Sequence, residues 1–281
     1  MEKDITDYIS FDNMDLELWI CTVLLKLKSL HYGYWSNGES LNLDNLRIAQ
    51  ARYTEELIGN IPEEVRTVLD VGCGIGDNAR AMANKGYRVT ALSPDKNHKK
   101  YFDSANHSRI KFYNQEFEDL RASEKFDLVL MSESQNYFDA DVGFQQCRRF
   151  LNDRGHLLVC GMFRYDDCSA FKHVRNIESE YIEKAARHKF ELTRRVDITE
   201  RVLPTLQLAN EVSREYLAPA YDVLKYYFEH SSPLKLRLVK IFCSKELKNM
   251  SKIYYYYREF FDPALFQKRV KYLTLLFTSS Q

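Results

Sequence analysis

Several things are scarce in this chain. None of its 281 residues lies in an apolar run approaching the roughly 18 residues of a membrane span. The amino terminus has no short apolar segment of the secretion-signal kind. These two absences, with the thiol pattern, point to a cytoplasmic protein with no integral membrane association. Neither sign of charge is in excess, with 40 Lys and Arg against 40 Asp and Glu. That argues against an extended nucleic-acid face or a polybasic membrane patch. The six cysteines include no C-x-x-C pair, and the seven histidines show no ligand-like spacing. Neither a zinc site, nor any other metal, nor a disulfide framework is expected. Glycine is absent from the last 120 residues, so that region should be mostly helical.

Where glycine does occur, it is concentrated. Val68-Leu69-Asp70-Val71-Gly72-Cys73-Gly74-Ile75-Gly76-Asp77 reads as a short apolar strand, an acid, three alternating glycines and a helix start. Glycines there let a ligand lie against bare backbone. The helix start offers unpaired N–H groups to polar ligand atoms. A dinucleotide fingerprint spaces its glycines G-x-G-x-x-G and places its ribose acid about twenty residues later. Here the spacing is G-x-G-x-G, and the acid precedes the glycines.

Around this turn, strands alternate with helices. Strands are expected at 67–71, 88–92, 110–114, 126–131, 156–162 and 190–197, with helices at 77–85, 142–151 and 178–188. Ser93-Pro94 should cap and open a further helix. This rhythm argues for an open, mostly parallel sheet. Upstream, helical spacing is expected over 4–30 and 42–60, with Gln50 on the second helix. A last strand follows at 269–277, after a helical insertion over 203–263 that carries eight tyrosines from Tyr216 to Tyr257.

The acid-then-glycine pattern of Asp70, Gly72, Gly74 and Gly76 resembles motif I of class I S-adenosylmethionine-dependent methyltransferases. The resemblance runs from about His31 to Phe277. It implies an α/β, Rossmann-like seven-stranded sheet with helices on both faces and an antiparallel last strand. The chain then divides into an N-terminal helical arm and cofactor cover (1–66), a cofactor-binding core (67–202 and 264–281) and a helical lid (203–263). S-adenosyl-L-methionine is the implied cofactor, with Asp70, Gly72 and Gly74 around its methionine end.

Details point to the small-molecule branch, which includes tocopherol and sterol methyltransferases, cyclopropane fatty acid synthases and rebeccamycin-type sugar methyltransferases. Ser93 replaces the usual ribose acid, with Pro94 beside it and His98 or Asn97 as a second ribose contact; Ser93 as a plain helix cap is the alternative. Glu116 and the backbone of Phe117 resemble the adenine contacts, with Glu118 or Asp119 as the other choice. Ser132-Glu133-Ser134 resembles the branch's segment after strand four, with Tyr137 where histidine is common. Leu30-His31-Tyr32-Gly33-Tyr34-Trp35 resembles its His-x-Gly-x-Trp cover, which brings Tyr34 and Trp35 to the cofactor.

The resemblance implies methyl transfer to a small, apolar or aromatic, natural-product or lipid-like acceptor at carbon, oxygen or nitrogen. His31, Glu133 and Tyr137, in that order, are the expected proton acceptors, and Glu133 as a structural tie is the alternative. A homodimer is left open. The competing classes are a nicotinamide-dependent oxidoreductase and a non-catalytic binding protein on the same frame.

Overall fold

The computed structural model describes residues 10–11, 14–103, 107–121, 123–166, 171–230 and 261–280. Seven strands form one sheet: β1 (Thr67–Val71), β2 (Arg88–Leu92), β3 (Ile110–Tyr113), β4 (Phe126–Ser132), β5 (Leu151–Arg164), β6 (Phe190–Asp197) and β7 (Val270–Ser279). Their spatial order is β3-β2-β1-β4-β5-β7-β6. All neighbours are parallel except β7, which runs antiparallel to both β5 and β6. The strand order reverses at β1, so the crevice beyond the carboxyl ends of β1 and β4 is the natural ligand position in such a sheet.

Both faces of the sheet are covered, which explains the nearly continuous apolar reading of the central strands. Side chains alternate between the faces at a period of two. Val68, Leu128, Leu130 and Leu158 enter one core, and Leu69, Val71, Val129 and Val159 enter the other. The first core is closed by helices α1 (Leu43–Gly59), α2 (Asp77–Asn84), α6 (Thr199–Val212) and α8 (Pro263–Arg269). The second is closed by α4 (Ala140–Phe150) and α5 (Glu178–Arg187). Each such buried side chain contributes about 1.5–3 kcal/mol. The helix starts follow local chemistry: Asn42 accepts the Asn45 N–H at 2.8 Å, and Asp139 and Asp262 cap α4 and α8 in the same way.

Three expectations are corrected. The helix expected over 4–30 is reduced, among the described residues, to Leu16–Trp19 and a π turn at Ile20–Leu24. Leu25 bonds back to Ile20, and Lys26 then takes a left-handed φ of 53°. Val23 and Leu24 stay more than half exposed, whereas Leu27 of the same spacing is buried. Ser93-Pro94 does not open a helix: α3 (Lys99–Asp103) begins five residues after Pro94. In between, Ser93 Oγ accepts the Asp95 N–H at 3.3 Å, and Asp95 Oδ1 accepts that of Asn97 at 2.8 Å. These local turns compete with the helix. The insertion turns helical at Thr199 rather than 203, because Asp197 Oδ1 accepts the Thr199 N–H at 3.0 Å.

From α6 the chain continues through a π turn (Ser213–Leu217) into α7 (Ala218–Glu229). Tyr216, Tyr226 and Tyr227 there are all more than 60% exposed. They do not roof a pocket within the described residues. Tyr254–Tyr257 lie outside them.

Candidate functional site

The turn after β1 places three glycines in the left-handed region, with φ of 75°, 54° and 83° at Gly72, Gly74 and Gly76. Their surroundings differ. A Cβ on Gly72 would stand 2.4 Å from Ser134 Cβ, and one on Gly76 would stand 2.5 Å from Phe102. Those two glycines admit neighbouring side chains. A Cβ on Gly74 would meet only Leu30 Cδ1, at 3.7 Å, so Gly74 is the member of the turn that faces open space.

Asp70 stands at the end of β1 with 1% exposure, and its Oδ2 is buried without a hydrogen-bond partner. Burial, reinforced by the charge of Asp77, pushes its carboxyl up to about 7. An unpaired buried carboxylate is costly. A donor arriving from a ligand would satisfy it. This orphaned oxygen beside the open backbone at Gly74 fits the amino group and methionine end of S-adenosylmethionine.

At the end of β2, Ser93 Oγ lies 2.8 Å from His98 Nδ1, and His98 Nε2 lies 3.6 Å from Asp95 Oδ2. The expected ribose residues Ser93 and His98 are thus brought together beside Pro94. Asp95 joins them, a carboxylate that motif reasoning passed over because it lies two residues beyond the usual position. Glu116 is exposed, whereas the Phe117 side chain packs against Phe138 and Phe150. Any ligand contact by Phe117 is therefore through its backbone.

Two further expectations are corrected. Trp35 is 1% exposed and packs in a separate small core with Leu27, Leu46, Ala49 and Leu208, where its Nε1 donates to Thr205 Oγ1 at 2.9 Å. Tyr34 lies under the Arg201 guanidinium and lines a void of about 40 Å3 with Tyr53, Cys160 and Thr274. These aromatics anchor the His31–Trp35 segment to α1 and α6. The bulk that suggested a cover over the cofactor serves packing instead.

His31 is buried, and both ring nitrogens face acceptors. Nδ1 lies 2.7 Å from the Tyr32 carbonyl, and Nε2 lies 2.9 Å from Asp77 Oδ2 and 3.2 Å from Thr54 Oγ1. The Thr54 hydroxyl itself donates to Asn78 Oδ1 at 3.0 Å, so it offers His31 only a lone pair. An imidazole with acceptors on both sides is held as the imidazolium. Burial opposes that charge, but Asp77 and then Glu133 overcome it and raise the pKa. Asp77 is correspondingly lowered by His31 against its own burial. The first expected proton acceptor therefore has no lone pair to offer.

Glu133 is differently placed. It holds a left-handed φ of 62°, and its N–H donates to the Cys160 carbonyl at 2.7 Å. Its Oε1 accepts the Tyr32 N–H at 3.1 Å and the Tyr272 hydroxyl, and among the described residues both bonds fall on that one oxygen. Burial raises its pKa, although His31 and the Tyr272 hydroxyl oppose the shift. Ser132 contributes its hydroxyl 3.2 Å from that of Tyr53. Tyr137, the third expected acceptor, is 77% exposed. Gln50 donates to the carbonyls of Ser29 and His31 at 3.1 and 2.7 Å, bracing the segment rather than lining the site.

Tyr53, Tyr272 and Asp77 were not expected here. Tyr53 read as one apolar position of an amphipathic helix and Tyr272 as one of a buried strand. Asp77 read as the start of α2. Nothing local distinguishes a core tyrosine from one whose hydroxyl meets a carboxylate.

Residues 69–159 match the family model of a methyltransferase domain. The chain is 37% identical over 62 residues to a probable chloroplastic tocopherol O-methyltransferase of Oryza sativa subsp. japonica, across 20% of this chain and 17% of that protein. It therefore spans only about a sixth of that relative's length. It is 27% identical over 231 residues to the methyltransferase GfsG of Streptomyces halstedii, across 70% of this chain and 75% of that protein. A geranyl diphosphate methyltransferase solved in complex with GPP and sinefungin superposes with a TM-score of 0.67 at 16% identity, covering 98% of this chain and 97% of that one. Sheet order, glycine turn and domain match converge: residues 69–159 match a methyltransferase domain, and the described residues form the Rossmann-like seven-stranded fold of the solved neighbours.

Proposed function

We propose that the protein transfers a methyl group from S-adenosylmethionine to a small, apolar or aromatic acceptor of the natural-product or lipid-like class. The observation that carries this reading is the orphaned Asp70 oxygen beside the open backbone at Gly74. Asp70 and Gly74 would hold the methionine end. Ser93, Asp95 and His98 would meet the ribose, and Glu116 with the Phe117 backbone the adenine. When bound, the cofactor supplies an electrophilic methyl group on a good leaving group, so the protein's work is alignment, exclusion of water and, for some acceptors, proton removal.

Glu133 is suited to the last task. Its Oε1 is held by two donors, which leaves Oε2 to receive a proton from the acceptor. A carboxylate whose pKa is raised by burial is a stronger base than a solvated one. His31 keeps its own proton and supplies positive charge nearby. The rings of Tyr32 and Tyr53 pack against that of Tyr272, whose hydroxyl meets the carboxylate, and aromatic surroundings of this kind favour an apolar acceptor. The same reading places the protein in the cytoplasm.

Calorimetric titration with S-adenosylhomocysteine tests the proposal. The unaltered protein should bind, and Asp70→Ala should bind about 10- to 100-fold more weakly, the loss of one charge-assisted hydrogen bond. No binding by the unaltered protein would overturn the reading.

A further inference from the structure

The described residues hold a run of hydroxyls that ends on the Glu133 carboxylate. Tyr272, on β7 and fully buried, donates to Glu133 Oε1. Its hydroxyl also lies 3.0 Å from that of Tyr53, whose own proton is directed to Cys160 Sγ at 3.2 Å. Tyr53 is also buried, and its oxygen lies 3.2 Å from both Ser132 Oγ and Cys160 Sγ. Its ring stacks on the His31 imidazole, with centroids 4.2 Å apart.

The end of the run next to the carboxylate is Tyr272, whose hydroxyl donates to Glu133 Oε1. Resting on the reading that Glu133 is the proton acceptor, we propose that Tyr272 is a positioning residue: it orients and stabilises the Glu133 carboxylate so that Oε2 faces the acceptor, and Tyr53 in turn orients Tyr272.

Among the described residues, the groups that face Glu133 come from five elements, Cys160 of β5 among them, whose thiol senses the charge of the carboxylate. His31 and the Tyr32 N–H approach from the amino-terminal segment, Tyr53 from α1, Asp77 from α2 and Tyr272 from β7. Burial and the charge of Asp77 favour the protonated acid, whereas His31, Tyr272 and Tyr32 favour the carboxylate. Removing only the Tyr272 hydroxyl should therefore make Glu133 easier to protonate.

The test is infrared titration of the full-length protein carrying 13C-labelled glutamate, with the Glu133 band identified by its loss in Glu133→Gln. In Tyr272→Phe the midpoint should move up by about one pH unit or more, the effect of a lost hydrogen bond to a charged group. In Tyr53→Phe, which keeps the Tyr272 ring, it should move the same way by less. Either variant can be read alone if the other does not fold. A midpoint within about 0.2 units of the unaltered protein in either folded variant overturns the proposal. S-adenosylhomocysteine affinity, measured in parallel, should be unchanged in both. Failure of the unaltered protein to bind it would refute the methyltransferase reading, while the infrared midpoints would still judge Tyr272.

Discussion

His31 Nε2 lies 2.9 Å from Asp77 Oδ2, at the start of the helix that follows the glycine turn. The contact joins the segment carrying His31 to the cofactor-side turn, and it keeps the histidine charged. A residue type that suits general-base chemistry is thereby used as a fixed cation.

That pairing sets a pH dependence. The raised pKa of His31 contributes stability that is fully present below about 6.5, its unfolded value, and is lost as pH rises through the folded one. His31→Gln should therefore cost about 3–5 kcal/mol near pH 6, where a buried pair loses one partner. The loss should be smaller near pH 9. Urea unfolding at the two pH values measures the difference, and an equal loss at both would exclude a charged His31.

Asp70 also lowers stability as pH rises, but replacing it should have the opposite effect to replacing His31. Its carboxyl is raised from 3.8 to about 7 by burial first and Asp77 second. Its ionisation therefore costs stability progressively as pH rises through that interval, and the cost is complete above it. Without ligand, Asp70→Asn should melt higher than the unaltered protein at pH 8 and close to it at pH 4. Differential scanning fluorimetry at both values checks this. Added S-adenosylhomocysteine should reverse the order at pH 8, because the variant gains less from it.

The glycines separate folding from binding. Gly72→Ala drives a Cβ into Ser134, whose hydroxyl donates to the Val71 carbonyl. It should cost about 2–4 kcal/mol through overpacking and the left-handed backbone. Gly74→Ala meets only Leu30. It should cost about 1–2 kcal/mol from backbone strain, yet weaken S-adenosylhomocysteine binding more than tenfold. Chemical denaturation and calorimetry on the two variants distinguish these effects.

Thr205 is a fourth test. Its hydroxyl oxygen accepts from the Gly33 N–H at 3.0 Å and from Trp35 Nε1 at 2.9 Å. Thr205→Val leaves both donors unpaired, at about 1–3 kcal/mol each. The variant should lose stability and the near-ultraviolet dichroism of Trp35, while Thr205→Ser retains both.

Much of the fold was legible because its signals are local. The apolar strands at Thr67–Val71 and Phe126–Ser132 and the helix Leu43–Gly59 each follow from neighbouring residues. Of the proposed site, the sequence pattern singled out Asp70, Gly72 and Gly74 at the turn, together with Ser93, His98 and Glu133. At Trp35 and Tyr34 an aromatic motif suggested cofactor contact, and packing against α1 and α6 took those rings instead.

The sequence by itself determined the order of strands and helices, the glycine turn and the acid before it. These depend on side-chain period and on backbone conformations that few residues tolerate. Only the tertiary structure decided which ionisable groups act. The protonation of His31, the orphaned oxygen of Asp70 and the one-sided bonding of Glu133 depend on partners 46, 7 and 139 positions away: Asp77, again Asp77, and Tyr272. Electrostatic energies are set by distance in space and by burial, and neither is encoded in the spacing of residues along the chain.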